Sequence, residues 1–192
     1  MRWLLACLTL TFAMPAPAAP WCINEETSRL GFAATQNGDA FRGEFRDYQA
    51  ELRFDPDALA GSGFKVTVVT ASADTGKVQR DQMLRGTAWF HSEAHPQARF
   101  ETTEIRSAAG DARYEAIGDL TIRATTRQVA LPFEWRIDGD TASMIGRLTL
   151  DRTAFGVGRG QWSDCSTVGC EVEVQVDLEL QRCSPAAQEA AE

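Results

Sequence analysis

Residues 171–180 alternate without a break, and this run constrains the fold more than any other. Val172, Val174, Val176, Leu178 and Leu180 interleave with Glu171, Glu173, Gln175, Asp177 and Glu179. A period of two puts each set on one face of a strand. One face is uniformly apolar and the other is strongly acidic. The first must meet a core and the second must meet water, which is the signature of an antiparallel sheet.

The same period runs through most of the chain. Leu30, Phe32 and Ala34 share a face, and Asn37-Gly38 is a hairpin turn signal followed by Phe41 and Phe45. Ala50, Leu52 and Phe54 alternate with polar residues, as do Phe64, Val66 and Val68, and later Met144, Gly146, Leu148 and Leu150. Residues 118–135 read as two strands back to back. Leu120, Ile122 and Ala124 mark the first; Val129, Leu131, Phe133 and Trp135 mark the second. Many strands at this spacing imply an all-β sandwich or an up-and-down barrel. Closure removes the sheet edges, and a barrel of about eight strands is either filled by side chains or holds one small ligand. Residues 74–86 break the period. A capping residue opens this stretch and Gly86 closes it, which predicts a short helix from about residue 77 to 85. It is read as a crossover helix packed on the barrel near its mouth, with a lid over the mouth as the alternative.

The ends carry other information. Arg2, an apolar stretch and Ala16-Pro17-Ala18 fit a secretory signal peptide over residues 1–18. The apolar stretch is too short to span a bilayer. Residues 19–183 then form one domain, and the Ala- and Glu-rich residues 184–192 form a tail. The full chain has a net charge of −8, which argues against nucleic acid as a partner. Of five cysteines, Cys7 falls in the signal peptide. Cys22, Cys165, Cys170 and Cys183 remain, an even number that implies two disulfides in an exported protein. A zinc site fits poorly, because four residues separate Cys165 from Cys170 and no histidine is near.

No stretch announces catalysis. His91 and His95 have an i, i+4 spacing, but Pro96 disfavours a helix there, and two loop histidines are the simpler reading. Residues 156–160, GVGRG, lead toward a strand rather than the helix that a phosphate loop needs. No G-x-S-x-G motif occurs. Most carboxylates fall at outward strand positions. The expectation is a protein that is not an enzyme, with no catalytic residue and no metal.

Several short motifs in order resemble the YceI-like family. They are Trp21-Cys22-Ile23-Asn24, Ser28-x-Leu30-x-Phe32, Gly43-x-Phe45, Asp74-Thr75-Gly76 with Arg80-Asp81 and Leu84-Arg85, Trp89-Phe90 with His95-Pro96, the GDLTI run from Gly118, and Arg152-x-x-Phe155-Gly156. Gln82 stands where the family usually has His, His95 where it has Tyr, and Ala124 where it has a turn Gly; the cysteines are not general to the family. The resemblance implies a periplasmic, lipocalin-like antiparallel barrel that encloses an isoprenoid chain. It further implies a non-catalytic carrier of a polyisoprenoid or polyprenyl quinone with no covalent cofactor. Inward parity then offers Phe32, Phe41, Phe45, Met83, Trp89, Phe90, Phe100, Leu120, Ile122, Phe133, Leu148 and Phe155 as ligand-binding residues, with Arg80 and Asp81 near a head group at the mouth. Partners would be the lipid and, transiently, the inner membrane or a membrane cytochrome, with the protein a monomer or homodimer. The alternatives are an accessory of a cytochrome–quinone system, or a stress-response module without lipid. In a closed barrel the first and last strands are neighbours, which predicts Cys22–Cys183; Cys165 and Cys170 flank a short turn and form the second pair.

The leader makes a direct prediction. The exported protein should have the mass of a chain that begins at Ala19, and a mature periplasmic form that retains Met1 would overturn the assignment.

Overall fold

The computed structural model describes residues 18–183. The expected tail, and the expected signal peptide apart from Ala18, lie outside the described residues. Eleven strands and one α-helix follow in order: β1 (Pro20–Ile23), β2 (Arg29–Gln36), β3 (Asp39–Phe45), β4 (Tyr48–Arg53), β5 (Gly63–Val69), β6 (Ala73–Asp74), α1 (Val78–Arg85), β7 (Gln97–Ser107), β8 (Arg113–Ile122), β9 (Thr125–Asp138), β10 (Thr141–Asp151) and β11 (Glu171–Arg182).

These strands make eight staves. β1 and β2 lie end to end along one edge of β11, pairing Ile23 with Leu180 and Leu30 with Val176. β3 and β4 form the second stave, and β5 and β6 the third. β7, β8, β9 and β10 follow as antiparallel neighbours, and β10 pairs with β11 along its whole length. Because β11 also pairs with β1 and β2, the sheet closes on itself. The result is an eight-stave, antiparallel, up-and-down barrel, as the family resemblance implied.

Turn chemistry sets the register. Asn37 and Gly38 both take positive φ, 55° and 84°, as a two-residue hairpin turn requires. One bulge between Thr102 and Glu104 shifts β7 against β8, so Phe100 and Ile105 both face inward despite an odd separation. Gly43 is needed for close packing: a Cβ there would lie 2.5 Å from the Phe32 ring. The outer surface is charged, with ion pairs Arg106–Glu115, Arg113–Glu134 and Arg46–Asp74 spanning neighbouring strands. An apolar inside and a charged outside is the inverse of a lipid-facing barrel.

The two barrel ends differ. One end collects residues 54–62, 108–112 and 139–140, and is sealed by an aromatic plug. Phe54, fully buried, touches Tyr114, Phe133 and Trp135 at centroid distances of 4.9, 5.6 and 4.6 Å. Trp21 Nε1 donates to the Phe54 carbonyl at 2.9 Å, tying the first strand to the plug. The other end collects the Asn37-Gly38 turn, α1 with residues 86–96, the Arg123-Ala124 turn and residues 152–170. Here α1 begins one residue later than expected. Its N-cap, Lys77, makes no side-chain bond; Asp74 instead accepts from Gly76 N, and Asp81 accepts from Thr75 N and Oγ1. The expected capping residue thus shapes the approach to the helix rather than its first turn.

Both disulfides form as expected, Cys22–Cys183 and Cys165–Cys170, each with a Cα separation of 5.1 Å. The first spans 161 residues and the second 5. Chain entropy then makes the terminal bridge worth roughly 5 kcal/mol and the short one roughly 2. Cys22→Ser with Cys183→Ser should lower the unfolding free energy in denaturant by clearly more than Cys165→Ser with Cys170→Ser; equal losses would show that closure does not depend on the bridge.

Candidate functional site

An apolar cavity of about 220 Å³ runs inside the barrel between the aromatic plug and the α1 end. At the plug end its wall is Phe64, Leu131 and Met144. Leu30, Val66, Phe100, Leu148, Val174 and Val176 line the middle. Leu84, Trp89, Phe155, Val157 and Val168 line the α1 end. Arg152 is the one charged residue on the wall. Apolar cavities of this size and character stay dry and accept apolar molecules.

Ten of the fourteen residues offered as ligand-binding lie on this wall: Phe32, Phe41, Phe45, Trp89, Phe90, Phe100, Leu120, Ile122, Leu148 and Phe155. Four do not. Phe133 faces inward but at a different height, packed in the plug 5.4 Å from Phe64. Met83 packs behind the wall in the upper core cluster. Arg80 donates twice to Gln36 Oε1, at 3.0 and 3.2 Å, and lies over the Phe41 ring. Asp81 is spent on Thr75. Period two tells which face a residue takes but not its height along the barrel, and it says nothing about residues on a helix. Of α1, Leu84 is the residue that reaches the cavity wall.

Arg152, the first residue of the Arg152-x-x-Phe155-Gly156 motif, organises the α1 end. It is 5% exposed, and its guanidinium donates to five backbone carbonyls: Val157 (2.9 Å), Gly158 (3.3 Å), Trp162 (2.7 Å), Val168 (2.6 Å) and Gly169 (2.8 Å). It also lies over the Trp89 ring at 5.1 Å. No periodic signal marks such a residue; a lone Arg beside a glycine-rich loop is the only hint. Burial pushes its guanidinium below the usual value, opposed by Asp151 and Asp164. Arg123 is the second buried cation, 8% exposed. It occupies the hairpin turn at φ 57°, and donates to the carbonyls of Thr87 (3.0 Å) and Trp89. The positive φ of this turn thus falls on Arg123 rather than on Ala124, held by those bonds against a steric cost of about 1 kcal/mol or more.

His91 and His95 are T-stacked at 5.6 Å, and among the described residues no group of three or more potential metal ligands occurs.

A closed antiparallel barrel, charged outside and hollow and apolar within, defines the lipocalin-like class of internal-cavity proteins. Residues 21–180 match the YceI-like domain, and the chain belongs to that family. It is 34% identical over 97 residues to a UPF0312 protein of Photorhabdus laumondii, covering 50% of each chain, and 37% identical over 89 residues to one from Yersinia pestis, covering 46% of this chain and 45% of that one. The chain thus spans about half the length of these curated relatives. Among solved structures it resembles Burkholderia cenocepacia BcnA (TM-score 0.79, 30% identity, 82% of this chain and 99% of that one). It also shares its fold with a polyisoprenoid binding domain from Saccharophagus degradans (TM-score 0.63, 11% identity, 88% and 100%).

Arg152 makes a stability prediction. Arg152→Ala strands several buried carbonyls and should cost about 3 kcal/mol or more in denaturant unfolding. Arg152→Lys should recover little of this, since an ammonium cannot reach carbonyls arranged around a planar fork. Full rescue by Lys would reduce the role of Arg152 to charge alone.

Proposed function

We propose that the protein is a non-catalytic carrier that encloses one extended isoprenoid chain, a polyisoprenoid or polyprenyl quinone, in the periplasm. One observation carries the reading: the interior is hollow where inward parity alone would have allowed a packed core, and its wall, Arg152 apart, is made of apolar residues from the plug to the α1 end. The Saccharophagus degradans neighbour, a polyisoprenoid binding domain by name, is in keeping with it. Two disulfides and the leader-like first residues support an oxidising, exported location. The partner at each end of a carrier cycle is a membrane surface, contacted transiently.

The energetics suit such a role. Burying each CH₂ is worth roughly 0.8 kcal/mol against water, so a tail of many isoprene units is held tightly against release to solvent.

Native mass spectrometry of protein purified without added lipid should find one bound lipid per chain. Leu120→Phe, which narrows the bore without adding polarity, should leave the protein folded by circular dichroism and reduce that lipid severalfold. Unchanged lipid in folded Leu120→Phe would place the tail elsewhere, and a wild-type protein that neither co-purifies with nor takes up isoprenoid would end the carrier reading.

A further inference from the structure

The cavity has a floor, and the strand register places it. Toward the plug the wall ends at Leu52 on β4, Phe64 on β5, Leu131 on β9, Met144 on β10 and Leu178 on β11. Leu52 pairs directly with Phe64 and Met144 with Leu178, so each pair shares a level. One inward position further on, the side chains leave the wall. Phe54, Phe133, Ala142 and Leu180 are buried in the lower core cluster and do not reach the cavity. The Phe64 ring lies 5.4 Å from Phe133 and stacks on Trp135 at 6.3 Å, and Phe64 and Met144 are each 2% exposed. At this end the tube is blind.

Its depth follows from strand geometry. On β11 the wall runs from Leu178 back to Val172. At about 3.4 Å per residue, and with a tilt of about 40° to the barrel axis, this is roughly 15 Å. Phe155 and Val168, beyond the strand ends, add one more layer of side chains. An extended chain advances about 1.2 Å per bond, so one isoprene unit covers about 5 Å. The tube therefore takes about four units in a straight conformation. A volume of about 220 Å³ spread over this depth leaves a bore one chain wide, with no room for a tail to double back.

From this we infer that the aromatic plug is a ruler for tail length: Phe64 and Met144 stop the apolar chain, and tails longer than the tube leave their excess outside it. The inference rests on the carrier reading and adds to it a length limit and the residues that set it. Up to the limit, a tail gains about as much in the tube as in a bilayer, because both remove it from water. Beyond the limit the two part. The bilayer takes up each further unit, whereas the protein leaves it in water, and the transfer free energy of its carbons makes this a loss of roughly a hundredfold per fully exposed unit.

The test uses a series of all-trans prenyl alcohols: geraniol, farnesol, geranylgeraniol, pentaprenol, hexaprenol and octaprenol. Each is presented in the same phosphatidylcholine vesicles, and transfer from vesicle to protein is measured. The proteins are wild type, Phe64→Ala, Met144→Ala and Val176→Phe, with circular dichroism for folding. Ile105→Val, in the lower core cluster but off the wall, is the control for loosened packing. Wild-type transfer should stay level up to geranylgeraniol and fall about tenfold or more by hexaprenol. Phe64→Ala and Met144→Ala deepen the tube and should carry the level range further, Phe64→Ala by about one isoprene unit. Val176→Phe fills the bore above the floor and should cut the range short, while Ile105→Val leaves it in place. Val176→Phe opens no cavity, so the inference stays testable if the alanine variants do not fold. Level transfer through octaprenol in wild type would show that the plug sets no limit and overturn the inference. A break that stays put in folded Phe64→Ala and Val176→Phe would overturn it too, leaving the carrier intact. Failure of every alcohol to bind wild type would instead remove the carrier reading, and the ruler with it.

Discussion

Everything in this fold depends on the closure of β11. It pairs with the preceding β10 along eleven residue pairs, and with β1 and β2, from the opposite end of the chain, on its other edge. Without that second edge the sheet would be open, its inner face could not be enclosed, and no cavity would exist. The alternation of residues 171–180 serves this placement, with valine and leucine toward the bore and acids toward water. The terminal disulfide reinforces the same seam by joining the residue after β11 to β1.

Closure also creates a cost. A void of about 220 Å³ forfeits roughly 5 kcal/mol at ~24 cal/mol per Å³, a large share of an ordinary domain's stability. The chain-entropy value of the Cys22–Cys183 bridge is of the same size. The aromatic plug and the five-carbonyl clamp of Arg152 hold the two ends of the tube while its middle stays hollow. Rigid ends and an unfilled centre are what a container needs, and a bound apolar molecule would return the lost contacts.

Strand-level structure was legible in the sequence. Parity sent the right residues inward: Phe32, Phe100, Leu120, Ile122 and Leu148 all reach the wall, and the helix sits within one residue of its expected start. Height was not legible. Phe133 shares the parity of Leu131, yet one fills the plug and the other lines the cavity, because parity repeats along the whole stave. Hollowness was not legible either, since a packed core and a lined tube have the same pattern. The arginines were the least visible. Arg80 reads as a head-group cation because a helix near the mouth brings it close, but Gln36 claims it. Arg123 and Arg152 sit in a turn and a loop, where no periodicity applies, and their burial follows only from the three-dimensional return of residues 87–89 and 157–169.

The apolar character of the cavity wall bears on how a carrier could discriminate among lipids. An isoprenoid tail gains about the same from an apolar tube as from a bilayer interior, because both remove it from water. The tail therefore sets how strongly the ligand avoids solvent but contributes little to the choice between protein and membrane. That choice falls to groups that differ between the two environments. A bilayer surface offers a head group water and other lipids' polar groups, whereas the cavity wall presents apolar side chains and one guanidinium, that of Arg152, whose donors are filled by backbone carbonyls. A head group that needs polar partners would then favour the membrane and one that sheds its hydration cheaply would favour the tube, so a change of head-group chemistry, without any change of tail, would be enough to move the equilibrium.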